Sequence, residues 1–213
     1  MKAPAALKRM VREQLIGGGI RSRRLLGAFL RVDRALFVPE SARERAYADG
    51  PLSIGFGQTI SQPLMVAEML EALDIHRGHR FLEVGAGSGY ALALAAALGA
   101  RVCGIERIAA LAETIPARFA SLGLEPPFIK VGDGSGGLPE SAPFDRILVS
   151  AACPLVPPPL LEQLAEGGVL VAPVGNRHEQ LLRRVERRAG LLLSSVSTPC
   201  VFVPLIGKHG YEE

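Results

Sequence analysis

The sequence predicts an α/β protein built on a doubly wound, mostly parallel sheet, with helices ahead of it and an antiparallel edge behind. Three observations carry that prediction. From residue 80 onward, strand-like runs near 80–84, 101–105, 127–131, 144–149 and 168–173 alternate with helical stretches, the order that parallel pairing and right-handed crossovers require. The run Phe81-Leu82-Glu83-Val84-Gly85-Ala86-Gly87-Ser88-Gly89-Tyr90 reads as a strand that stops in a glycine turn and opens a helix. Finally, Leu181 to Val185, Leu191 to Val196 and Cys200 to Ile206 follow one another without a convincing helix, which makes an antiparallel edge.

Taken in order, residues 4–16 and 21–37 place apolar side chains at helical spacing (Leu7, Met10, Val11, Leu15; Leu25, Leu26, Phe29, Leu30) on either side of Gly17-Gly18-Gly19, which predicts two helices and a hinge. Residues 38–62 form a connection punctuated by Pro and Gly, long enough to carry function. Pro63 then opens a helix whose inner face is Val66, Met69, Leu70 and Leu73. The Ala- and Leu-rich run 91–98 reads as a buried helix, and Pro116 should kink or restart the helix after Glu106. One domain, 1–213, is expected: helices and a functional loop over 1–62, a ligand-binding core over 63–175 and strands over 176–213.

The three glycines let a backbone pass close beneath a ligand. A dinucleotide fingerprint wants a small residue at its sixth position, and here that position is Tyr90. The order Glu-x-Gly-x-Gly-x-Gly resembles instead the turn that class I methyltransferases place around the methionine tail of S-adenosylmethionine. An acid at the next strand tip should hold the ribose, and Glu106 stands there, 21 residues after Gly85. Asp133-Gly134 at the third strand tip falls where the adenine amine would be met. Asp-Gly alone is an ordinary turn, but its phase with Gly85 and Glu106 favours a ligand role in a Rossmann-like sheet.

Composition bounds the alternatives. At 213 residues and 48% hydrophobic content, the chain can bury a substantial core. No signal peptide is visible, and no apolar run approaches the ~20 residues that span a bilayer. Cys103, Cys153 and Cys200 are far apart and read as reduced thiols in a cytoplasmic protein, and neither the cysteines nor His76, His79, His178 and His209 show metal spacing. The net charge is +3, with eleven Lys and Arg against five Asp and Glu in residues 1–50. That segment lacks interleaved aromatics, so it reads as a solvated helix face rather than a nucleic-acid footprint. After the fourth strand, Ser150-Ala151-Ala152-Cys153-Pro154 offers no aromatic clamp for a nucleic-acid base, and Cys153 and Cys200 read as structural.

The segment Tyr47-Ala48-Asp49-Gly50-Pro51-Leu52-Ser53-Ile54-Gly55-Phe56-Gly57-Gln58-Thr59-Ile60-Ser61-Gln62-Pro63 resembles the signature of protein-L-isoaspartate O-methyltransferases. So do Leu82 to Tyr90, Val131 to Gly134, Phe144 to Ala152, and Phe202-Val203-Pro204-Leu205, in order from about Met10 to Gly207. Gly50, Ala86, Pro116 and Val201 depart from the commoner family residues. The resemblance implies a seven-stranded sheet, S-adenosylmethionine as methyl donor with S-adenosylhomocysteine as product, no metal, and the free carboxylate of L-isoaspartyl residues in damaged proteins as acceptor. It assigns catalysis to Ser61. Donor binding would fall to Thr59, Ile60, Glu83, Gly85, Ala86, Gly87, Ser88, Gly89, Glu106, Arg107, Asp133 and Gly134, and acceptor binding to Ile54, Thr59 and Ser61. A monomer that binds neither nucleic acid nor membrane is expected. The competing readings are a methyltransferase acting on RNA or a small molecule, and a non-catalytic adenosyl-binding module.

Overall fold

In the computed structural model, which describes residues 3–212, the chain lays down helices first. α1 (Ala5–Met10) widens without a break into a π-helical stretch, Val11–Ile16, and buries Leu7, Met10, Val11 and Leu15, the face that the spacing predicts. α2 (Arg23–Arg31) opens where the Ser22 hydroxyl accepts the Leu25 amide at 3.3 Å, and buries Leu25, Ala28 and Phe29. The helix expected to reach residue 37 stops at Arg31. Val32 is extended, and the Asp33 carboxylate accepts the Ala35 amide at 3.0 Å to start a separate 3-10 turn, Arg34–Phe37. An aspartate that bonds its own backbone competes with helix continuation. Lys2, part of the basic N-terminal excess, lies outside the described residues.

The connection over 38–62 is more ordered than its sequence suggests. β1 (Leu52–Gly55) and β2 (Gln58–Ile60) pair antiparallel about Phe56 and Gly57, whose φ values of 54° and 70° make the two-residue left-handed turn that matches strand twist. Strands of four and three residues are too short to announce themselves by alternation. α3 (Pro63–Leu73) follows with its proline in the first turn and Val66, Met69, Leu70 and Leu73 buried.

Alternation then sets in: β3 (Arg80–Val84), α4 (Tyr90–Ala97), β4 (Arg101–Glu106), α5 (Ala109–Ala112), α6 (Ile115–Ser121), β5 (Phe128–Val131), β6 (Phe144–Val149), α7 (Pro158–Glu162), β7 (Leu164–Gly175), β8 (Gln180–Arg188) and β9 (Leu191–Cys200). Pro116 restarts the helix as expected, standing in the first turn of α6. The seven strands run in the order β5-β4-β3-β6-β7-β8-β9; the first five are parallel, and β8 and β9 add antiparallel. The expected strand from Cys200 to Ile206 is not one. The chain leaves the sheet at Cys200 and crosses the strand tips, where Ala152 donates to Val203 O at 2.8 Å and Leu205 donates to Ala152 O at 2.7 Å. Among the described residues no helix is long and apolar enough to cross a membrane.

α4 joins the layers. Tyr90 to Ala95 are all buried, with the sheet on one side and the N-terminal helices on the other. The Tyr90 ring meets Phe29 edge-on at 6.1 Å and Phe37 at 5.2 Å, and the fully buried Arg34 guanidinium lies 5.3 Å from its centre while Nε donates to Ala46 O at 2.9 Å. Truncating Phe29 to Ala should therefore cost about 3–5 kcal/mol of unfolding free energy, read as a fall in the denaturant midpoint at constant slope. A loss below about 1 kcal/mol would mean that the N-terminal layer does not hold α4.

Candidate active site

Parallel register brings the chemistry to one edge. Glu83 pairs with Gly104 and Val84 with Ile105 and Val149, so β3, β4 and β6 end level, the place where open α/β sheets bind ligands. Gly85, Gly87 and Gly89 all take left-handed φ values, 78°, 53° and 83°. A Cβ at Gly89 would stand 3.0 Å from the Ile115 side chain of α6, so a side chain there would be strained in conformation and crowded in space. The turn is tied to the next strand by Glu106, whose Oε2 accepts the Gly87 amide at 2.7 Å and whose Oε1 accepts the Ile108 amide at 2.8 Å. Each carboxylate oxygen keeps a lone pair for a hydroxyl.

Glu83 lies one step deeper. Its Oε1 accepts the Ser150 hydroxyl at 2.6 Å. Burial pushes its carboxyl up to about 8, reinforced by the neighbouring Glu106 and opposed by the Ser150 hydroxyl and the Leu92 amide. Burial thus favours the neutral acid over the carboxylate.

Three cavities meet at these tips. The largest, about 230 Å³, is lined by Ile54, Thr59, Gly85, Gly87, Glu106, Arg107, Gly134, Ser150 and residues 203–206. A narrower one of about 50 Å³ runs between Ile60, Ser61, Glu83, Ala86, Ser88 and Tyr90. A third, about 150 Å³, opens between Ser61, Gln62, Met65 and residues 199–203. Thr59 and Ser150 line all three, and Ser61 lines the second and third. Ser61 does not cap α3, whose N-cap is Gln62 without a side-chain bond. The segment is held from behind: Gln62 Nε2 donates to Asp49 at 2.7 Å, Gln14 Nε2 to Tyr47 O at 2.8 Å, and the Tyr47 hydroxyl to Asp33 at 2.7 Å.

Of the sequence-predicted residues, Ile54 lines the large cavity rather than the one beside Met65, and Gly89 shapes the turn without lining any of the three. Asp133 stands apart. Its carboxylate accepts the Ser135 amide and the Lys208 amide, each at 2.8 Å, and Ser135 Oγ accepts the His209 amide at 3.0 Å. Desolvation pushes the Asp133 carboxyl up, but these amides and the nearby His209 outweigh it and hold it below the usual range. The side chain thus anchors the C-terminal segment over the cavity. Sequence reasoning passed over Ser150 and residues 203–206. Ser150 did carry a signal, its place at the tip of the fourth parallel strand; the C-terminal cover carried none beyond the resemblance.

Burial pushes the thiols up, Cys153 to about 12 and Cys103 and Cys200 to about 11, which disfavours the nucleophilic thiolate. Among the described residues no group of three or more His, Cys, Asp or Glu could hold a metal.

A sequence model of the protein-L-isoaspartate(D-aspartate) O-methyltransferase family matches residues 6–210. The chain belongs to that family. It is 55% identical over 203 residues to a protein-L-isoaspartate O-methyltransferase of Methylorubrum populi, covering 95% of each chain, and 50% identical to one of Roseiflexus, covering 96% of this chain and 94% of the other. A solved structure from Plasmodium falciparum, described as a protein-L-isoaspartate O-methyltransferase in complex with S-adenosyl-L-homocysteine, superposes with a TM-score of 0.80 at 26% identity and covers 97% of this chain and 99% of that one.

Two tests follow from the site. A Cβ at Gly207 would stand 1.9 Å from Asp133 Oδ1. Gly207→Ala should displace the C-terminal cover and weaken S-adenosylhomocysteine binding about tenfold by calorimetry; unchanged affinity would show that the cover does not close the cavity. Glu83 holds its proton in the folded chain up to about pH 8 but loses it near pH 4.3 when unfolded, so its contribution is complete below that pH and is lost as pH rises to about 8. Glu83→Gln should accordingly gain stability relative to the parent between pH 5 and pH 9 in paired urea melts, and a flat difference would contradict the raised pKa.

Proposed function

We propose that the chain transfers a methyl group from S-adenosylmethionine to the free α-carboxylate of L-isoaspartyl residues in damaged proteins. The ester then leaves more readily than the acid, so the neighbouring amide nitrogen can close a succinimide that hydrolyses partly to normal aspartate. Family membership supports the acceptor. The observation that carries the reading is the junction at Thr59, Ser61 and Ser150, where the cavities along the strand tips meet a separate opening beside Met65.

The residues present suit the donor. The glycine turn leaves backbone room for a methionine tail, with Glu83 and Ser88 along the narrow cavity; Glu106 faces the space a ribose would take; Gly132 and Gly134 border its far end. Asp133 holds the cover across that end, and Arg107 lines the same wall. When bound, the donor supplies a methyl group already activated on a sulfonium. An α-carboxylate, with a pKa of roughly 3.3 to 3.7, is ionised at pH 7 and needs no general base. What the chain must supply is alignment, an effect that can reach roughly 7 to 11 kcal/mol. Ser61, which lines two of the cavities that meet at the junction, orients the acceptor carboxylate, and Thr59 and Ile60 on β2 carry it into place. We take the protein as a monomer of the cytoplasm binding neither nucleic acid nor membrane; three free thiols suit a reducing compartment.

Labelled S-adenosylmethionine incubated with an isoaspartyl peptide, its ordinary aspartyl twin and RNA should label the isoaspartyl peptide alone. Label in RNA, or in both peptides equally, would replace this acceptor with another. In the same assay Ser61→Ala should lower kcat about 10²-fold and leave the affinity for S-adenosylhomocysteine within about twofold; equal loss of both would move Ser61 out of the acceptor role.

A further inference from the structure

Beyond the junction lies a cavity that the methyl-transfer reading does not use. An open cleft of about 620 Å³ is lined by Val174, Leu181, Pro199 and Val201 together with His178 and Glu179. It shares Pro199, Cys200 and Val201 with the opening beside Ser61, so the two are neighbours across one wall. Val201 stands on that wall 74% exposed, and Leu181 is 42% exposed, although both are large apolar residues. Among the described residues no Lys or Arg lines either cavity, and Glu179, beside His178, is their one carboxylate.

We propose that this cleft is a subsite for an apolar side chain flanking the isoaspartyl residue, which makes Val201 and Leu181 specificity-determining residues. The inference rests on the acceptor reading above. An acceptor held by its α-carboxylate at Ser61 must run its main chain out of the opening beside Met65, and the wall carrying Val201 leads on from that opening to concave surface that the donor does not fill. The isoaspartyl linkage adds a backbone atom, so the segment is presented extended. At about 3.3 Å per residue, with side chains alternating, an extended chain crossing Val201 sets a side chain two or three positions away over Leu181 and Val174. An apolar group there covers exposed Leu181 and Val201; an acidic one meets the like charge of Glu179.

The test uses the full chain, S-adenosylmethionine, and isoaspartyl heptapeptides in which Leu, Ser, Lys or Glu is placed singly at each of three positions on either side, with a capped isoaspartyl-glycine as short acceptor. At one position the Leu peptide should exceed its Glu twin in kcat/KM by about fivefold, mostly through KM. In Leu181→Glu and, separately, Val201→Glu, that ratio should fall to about one, and the Lys peptide should overtake the Leu peptide. Methylation of the short acceptor with no preference at any position overturns the subsite, as does a preference that survives both substitutions. No methylation of any isoaspartyl peptide overturns the acceptor reading and this inference with it.

Discussion

The bond from the Gly87 amide to the Glu106 carboxylate, 2.7 Å long, is the constraint on which the site depends. It locks a turn of three left-handed glycines against the neighbouring strand, and that turn can stay open beneath a ligand only because no side chain intrudes. Level endings of β3, β4 and β6 then set Glu83, Glu106 and Ser150 on one edge, and the part-buried bond that Ser150 donates to Glu83 ties the end of β6 to β3. Everything that lines the cavities is hung from this frame.

Two layers press on the frame from opposite ends. The N-terminal helices reach it through Tyr90, packed by Phe29, Phe37 and the buried Arg34, and through the bonds that the Tyr47 hydroxyl donates to Asp33 and that the Gln62 side-chain amide donates to Asp49, just behind Ser61. The C-terminal segment reaches it through Asp133, which spends its charge on the chain's own amides. The resulting division is physical: one layer positions the hydroxyl-bearing loop, the other borders the far end of the large cavity.

Local patterns were legible in the sequence and long-range ones were not. The glycine turn, the acid at the tip of β4, the proline that opens α3 and the inner face Val66, Met69, Leu70 and Leu73 each depend on neighbours within a few residues, where spacing speaks directly. The hairpin around Phe56 and Gly57 was hidden by its brevity, and the end of α2 by a side-chain bond from Asp33 that periodicity does not register. Ser150 bonds Glu83 across 67 positions, and Asp133 bonds Lys208 across 75. Such partners become visible only when the sheet brings them together. The run Cys200 to Ile206 has the composition of a strand, yet its carbonyl and amide partners lie at Ala152, beyond the strand tips, so it folds as a cover.

The account turns on the meeting of two ligand spaces at Thr59, Ser61 and Ser150. The most direct measurement is a crystal structure of the chain with S-adenosylhomocysteine and an isoaspartyl peptide together. The sulfur should lie at that junction, with a peptide α-carboxylate oxygen in line with it and the Ser61 hydroxyl on the same carboxylate. A sulfur turned from the junction, or a peptide carboxylate seated away from Ser61, would contradict it.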